Sequence, residues 1–273
     1  YTMVYGIAKM LNFAHGDVIM VGAYICFFSM NGLSSLFAPG SLAALVVPAL
    51  AGTVLAMVVC TVLGITIERL AYKPLRQATS LAVLITAIGV SYFLQNAAQL
   101  LWSSSPKVFT PVVSPSAKLT LFDGQLSISW LTIVTVLVCV AIMLALTAFT
   151  GRTKMGKAMR CVSENKTAAS LMGINVPMNI AFTVGLSALI CATIGVLVIP
   201  IFNVELQMSS MIGLKGFASG VIGGFGYLPG AIVGGILLGV VEIFGSMIIP
   251  SVYKDCLSFV LLIIFLLIKP SGI

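Results

Sequence analysis

The sequence predicts an all-α fold, a polytopic transmembrane helical bundle of about eight spans with a short cytoplasmic helix and broken glycine-rich helices. Three observations predict it. Hydrophobic residues fill 60% of the 273 positions and charged residues 8%, with a mean hydropathy of +1.17, whereas a soluble domain carries about 25% charged residues. Charge-free runs at 42–67, 77–106, 124–151, 167–204 and 216–241 are each long enough for a span of about 20 apolar residues. The runs are continuous rather than alternating. In lipid that means helix, which satisfies its backbone groups internally, and not barrel strand.

Residues 1–11 read as the tail of a helix, interrupted by Asn12-Phe13-Ala14-His15-Gly16-Asp17, after which apolar sequence resumes from Val18 to about Leu36. Pro39-Gly40-Ser41 makes a turn. A span over 43–67 ends at the loop 68–76, and the next covers 79–101. The stretch from Ser103 to Ser127, with Pro106, Pro111 and Pro115, is expected to be the longest irregular segment. Spans over 128–149 and 178–200 flank a basic segment, and a short apolar run at 256–268 closes the chain before Lys269. Whether 209–228 spans fully or re-enters stays open.

Charge sets the orientation. The 68–76 loop has three bases against one acid, and 152–166 has five against one. The 103–127 loop has Lys107 and Lys118 against Asp123, and 201–208 has only Glu205. Positive charge marks the cytoplasmic side, so 68–76 and 150–177 are expected inside, 103–127 and 201–208 outside.

The net charge of +7 lies mostly in these loops, which argues against a nucleic-acid surface. Six scattered cysteines with no CxxC or Cys/His spacing argue against a metal site or disulfide framework. No phosphate-binding loop, HExxH or GxSxG is present, and one histidine with seven acids is thin material for catalysis. No catalytic residue is assigned, and this chain is expected to bind no cofactor.

The polar interruptions are the pathway candidates. Asn12, His15 and Asp17 either start a helix at the water boundary or face a route through the membrane, where ionisable groups become tolerable. From Gly213 to Gly239 glycine recurs densely, at about 1 kcal/mol each against alanine in a helix. Close helix packing explains this; so does a helix break at 223–230 exposing Gly223, Gly224 and Gly226 beside a pathway. Paired interruptions in two halves of a chain point to a translocation route. Lys215 and Glu242 either neutralise each other, snorkel, or meet a zwitterionic substrate.

The segment Arg152–Gly173 is the most organised polar sequence between two spans. Arg152, Lys154, Lys157, Arg160 and Lys166 form a basic loop leading into a helix over 164–172, about 13 Å long by its rise per residue and too short to span. Gly173 suits the left-handed stop, and Asn175-Val176-Pro177 the next start. Ala169 and Gly173 are one turn apart, as are Ala168 and Met172, so small and soft apolar side chains share a face, which suits docking in a partner's groove.

Thr167-Ala168-Ala169-x3-Gly173 resembles the Glu-Ala-Ala-x3-Gly coupling-helix motif of bacterial ABC importer permeases. Tyr1–Tyr24, Ile67–Arg76, Met155–Asn175 and Gly223–Gly235 are similar to the LivH-type permeases of branched-chain amino acid importers, and the likeness covers nearly the whole chain. The chain departs from the motif at Thr167, where the family has glutamate, and lacks the Ile-x-Leu-Pro ending of the longer motif. The resemblance implies one permease domain over 1–273, trimmed at both ends, in a bacterial inner membrane, with 150–177 as its cytoplasmic coupling loop. It implies a second, homologous permease as pore partner and an extracytoplasmic binding protein. It also implies two cytoplasmic ATPases that carry the ATP and Mg and meet Arg152, Lys157, Arg160, Glu164, Thr167, Ala168, Ala169 and Gly173. Leucine, isoleucine or valine is the implied cargo. Urea, short amides or another amino acid on the same machine is the nearest rival, and an ion-gradient-driven secondary transporter the rival from another class.

Overall fold

The computed structural model describes residues 1–10, 12–35, 42–75, 78–108, 118–121, 126–248, 250, 253–269 and 272. In chain order the helices are α1 (Thr2–Ala8), α2 (His15–Ser34), α3 (Leu42–Ile67), α4 (Ser80–Trp102), α5 (Trp130–Arg152), α6 (Lys154–Glu164), α7 (Lys166–Leu171), α8 (Val176–Val198), α9 (Met208–Gly223), α10 (Leu228–Ile248) and α11 (Lys254–Ile268). Among the described residues six helices (α2, α3, α4, α5, α8 and α10) are long and apolar enough to cross a membrane. At 16 and 15 residues, α9 and α11 are apolar but shorter.

The core centres on α2, which packs against α3, α8, α9 and α4. Met20, Tyr24 and Cys26 on α2 are buried with Cys60 of α3 and Ala192 of α8. Midway along α2, Tyr24 stacks on Trp102 at the end of α4 with ring centroids 5.0 Å apart and planes within 7°. Helix α5 lies at the other extreme, with no buried residue along its length. Its uniformly apolar surface therefore suits lipid or a partner on every side.

Three elements differ from expectation. The loop expected at 68–76 begins as a continuation of α3: Glu68–Tyr72 form a π-helical turn with Glu68 and Tyr72 buried. A wider turn of this kind re-aims side chains, and it sends the Tyr72 hydroxyl to Asn12. Within the stretch expected to be irregular, β1 (Lys118–Leu121) and β2 (Leu126–Ser129) form an antiparallel hairpin in which Lys118 faces Ser129 and Leu121 faces Leu126. Alternating apolar and polar residues over 118–121 and 126–129 supply the period-two signal that the prolines upstream obscured. The third difference is α6, an 11-residue helix where a basic loop was expected. Its Gly156, Met159 and Val162 are buried on one face, so the lysines and arginines are the solvent side of an amphipathic helix.

Cross-loop contacts sort the chain into two ends. Lys107 and Val204 exchange backbone hydrogen bonds of 2.9 and 3.0 Å, joining the two loops read as lying on one side. At the opposite end Lys166 donates to the carbonyl of Ala8 at 3.0 Å, and Leu228 packs with Met3, Ile7 and Met159.

Candidate functional site

Two chain breaks meet within the bundle. The first separates α1 from α2. Lys9 stops α1 in the left-handed region at φ 56°, its amide bonding the Tyr5 carbonyl. Asn12 then organises the turn: its Oδ1 accepts from the Ala14 amide at 3.0 Å and from the Tyr72 hydroxyl at 2.7 Å. The second break separates α9 from α10, where Gly224 and Gly226 adopt φ of 85° and 100°. That conformation is strained for any residue with a Cβ, so both breaks predicted from residue type are real breaks in the backbone.

Just after the first break, α2 closely approaches the first half of α9. A Cβ on Gly16 would lie 2.3 Å from the Ser209 carbonyl oxygen and 3.0 Å from the Gly213 Cα. Backbone cannot yield as a side chain can, so glycine is obligatory at Gly16. This is the small-residue contact that lets membrane helices touch.

Beside that contact lies a cavity of about 570 Å³ lined by α2, α4, α9 and the aromatic rings of Tyr1 and Phe13. The carboxylate of Asp17 supplies its charged group. Gln95 Nε2 of α4 donates to Asp17 Oδ1 at 2.9 Å and lies 3.4 Å from Ser91 Oγ and 3.3 Å from Ser209 Oγ. The cavity falls in the size range of small-molecule sites, roughly 300–1,000 Å³.

The candidates grouped by sequence separate in space. Asp17 faces the cavity. His15 turns to α8, where its Nε2 lies 2.6 Å from Ser187 Oγ and its ring stacks on Tyr1 at 5.0 Å. Asn12 serves the turn. The helical period accounts for the split, since residues two apart point about 200° from one another. Gly223, Gly224 and Gly226 lie at the second break, and a Cβ on Gly6 of α1 would come 3.1 Å from the Gly226 Cα. Glu242 is buried and bonded to Lys215, at 3.0 Å through Oε1 and 3.3 Å through Oε2, and accepts from Ser258; Asp255 meets the same ammonium at 3.0 Å. Mutual neutralisation is therefore the reading that the geometry selects for Lys215 and Glu242.

The docking segment is sharper than its sequence. The helix expected over 164–172 is shortened to α7, because Glu164 ends α6 and Asn165 intervenes. Asn165 caps α7, with Oδ1 accepting from the amides of Thr167 and Ala168 at 2.9 and 3.1 Å. Gly173 stops it at φ 82°. Ala169 is buried, in a cluster with Met159 and Val162 of α6 and Met3 and Ile7 of α1. Thr167 and Ala168 are exposed, as are Leu171 at 85% and Met172 at 77%. Arg152, Lys157, Arg160 and Glu164 are exposed on the same end, with Arg160 bonded to the Gly151 carbonyl at 3.1 Å.

Sequence reading missed Ser91, Gln95 and Ser209. Ser91 and Gln95 stand four apart in an otherwise apolar span, so they share a helix face, and that spacing was the available signal. Lys166 was counted as one more base; its bond to the end of α1 had no local signal.

The chain matches, over residues 1–266, the family described as branched-chain amino acid transport system / permease component. It is 40% identical over 284 residues to the high-affinity branched-chain amino acid transport system permease protein LivH of Salmonella typhimurium, covering all of this chain and 88% of that one. Identity is 39% over 279 residues, with the same coverage, to the corresponding protein BraD of Pseudomonas aeruginosa. It is 27% over 281 residues to a probable LivH permease of Methanocaldococcus jannaschii, covering 85% of that protein. No solved structure matches.

Proposed function

From the premise that this chain belongs to the branched-chain amino acid transport permease family, we propose that it is the membrane permease subunit of an ATP-driven branched-chain amino acid importer. It acts in a bacterial inner membrane with a homologous permease, two ATPases and a delivering binding protein. The observation that carries this reading, beyond the family itself, is α7. It is a capped helix of one and a half turns with an exposed Leu171-Met172 tip, the form of an element seated in a partner's groove. The exposed basic residues at this end agree with a cytoplasmic position.

The structure supports a specific transmission route. Ala169 fixes α7 to α6, Met159 and Val162 fix α6 to Met3 and Ile7 of α1, and Lys166 binds the last turn of α1 directly. At its other end α1 brings Tyr1 to the cavity and to His15. A push on α7 thus reaches the cavity wall through one packed path, because close-packed elements shift as rigid bodies. The glutamate that the family motif places at Thr167 is absent, and Leu171 and Met172 leave docking to apolar contact.

The test is leucine uptake into proteoliposomes carrying the complete importer and its binding protein. Uptake that needs internal ATP and the ATPases, and ignores ion gradients, supports the reading. Uptake by this chain and its partner permease under an ion gradient alone would make it a secondary transporter. Competition among leucine, urea and acetamide settles the cargo.

A further inference from the structure

We propose that the Asp17 carboxylate, held by Gln95, is a way station for the ammonium group of the amino acid in transit. This rests on the permease reading above and assigns the pathway a chemical preference. Asp17 is 1% exposed at the first turn of α2, yet it forms part of the wall of the 570 Å³ cavity. No lysine, arginine or histidine lines that cavity, and no ion pair to Asp17 is present among the described residues. The contrast with Glu242 is instructive. That acid also lies inside apolar sequence, and the fold supplies it with Lys215.

A carboxylate at membrane depth costs several kcal/mol unless something offsets its charge. Gln95 is a neutral donor, which orients the carboxylate without neutralising it, and the Ser91 and Ser209 hydroxyl oxygens accept from the same amide nitrogen. A mobile cation completes the arrangement. The cavity also specifies what the cation is attached to. Leu84 and Ile88 of α4 and the Phe13 ring give one side of it an apolar surface, suited to a short aliphatic chain. Among the described residues the same wall offers no base for the substrate's carboxylate. This subunit therefore recognises the ammonium and aliphatic halves of the substrate. A site with one charge and no opposite partner holds its ligand weakly enough to release it onward, as conduction requires.

The experiment uses the reconstituted importer with its binding protein and reads ATP-driven leucine uptake. Asp17→Asn is expected to lower uptake about tenfold or more, the worth of a charge-assisted hydrogen bond, in complexes that still carry their ATPases. Asp17→Glu retains part of it. On the unmodified importer, isoamylamine, which keeps the ammonium and the branched chain, inhibits uptake at concentrations that leave leucine on the binding protein. 4-Methylpentanoate, which keeps the carboxylate instead, does not. Equal uptake by Asp17→Asn overturns the proposal, and so does equal inhibition, or none, by the two analogues. If Asp17→Asn fails to assemble, the analogue pair decides alone. An unmodified importer that takes up no leucine would instead sink the permease reading.

Discussion

The two chain breaks do the same job by opposite means. Between α1 and α2 the turn is held by side chains: Asn12 bonds Tyr72 and the Ala14 amide, and Lys166 grips the carbonyl of Ala8. Between α9 and α10 it is held by the lack of side chains, with Gly224 and Gly226 at positive φ. The first is a set of replaceable polar contacts, each worth about 0.5–1.5 kcal/mol. The second is a steric condition that admits almost no substitution. The polar break thus suits adjustment during a transport cycle, and the glycine break suits a fixed seat against which it moves.

The largest effect is expected where α2, leaving the first break, meets α9, which leads to the second. Gly16→Leu puts a side chain into the Ser209 carbonyl and the Gly213 Cα. It is expected to destabilise by about 3 kcal/mol or more, seen as loss of folded protein in a detergent melting series. A stable variant would show that α2 and α9 can separate. Next is Asn12→Ala, which leaves the buried Tyr72 hydroxyl without its acceptor and is expected to cost about 1–3 kcal/mol. A double-mutant cycle with Tyr72→Phe should recover part of that cost. Strict additivity would mean that the polar pair does not hold the turn. Smaller again is Lys166→Met, expected to cost about 1 kcal/mol in stability while raising the ATP hydrolysed per leucine transported. An unchanged ratio would remove Lys166 from the transmission route.

The position of each break was legible in the sequence, because Asn12–Asp17 and Gly223–Gly230 depart so sharply from their apolar surroundings. The contact of α2 with α9 was not, because Gly16 and Gly213 are 197 residues apart and no local pattern encodes which glycine meets which backbone. The amphipathic face of α6 was present in the spacing of Met155, Met159 and Val162, masked by the density of bases between them. That Lys107 and Val204 lie at one end of the bundle was legible because both loops are poor in bases. The cavity was legible only at Asp17, since its remaining polar groups are single neutral residues in apolar spans. His15 and Asp17 look like one motif in sequence and serve two different helices in space.

The central claim is that α7 receives the ATPase's motion and passes it to the cavity. Leu171→Asp combined with Met172→Asp tests it most directly. Both side chains are exposed, so stability should change by no more than about 0.5 kcal/mol each. ATP-driven leucine uptake by the reconstituted importer is predicted to fall to background, with ATPase subunits lost from the complex or hydrolysing ATP without transport. Wild-type uptake and normal ATPase retention in the double variant would contradict the claim.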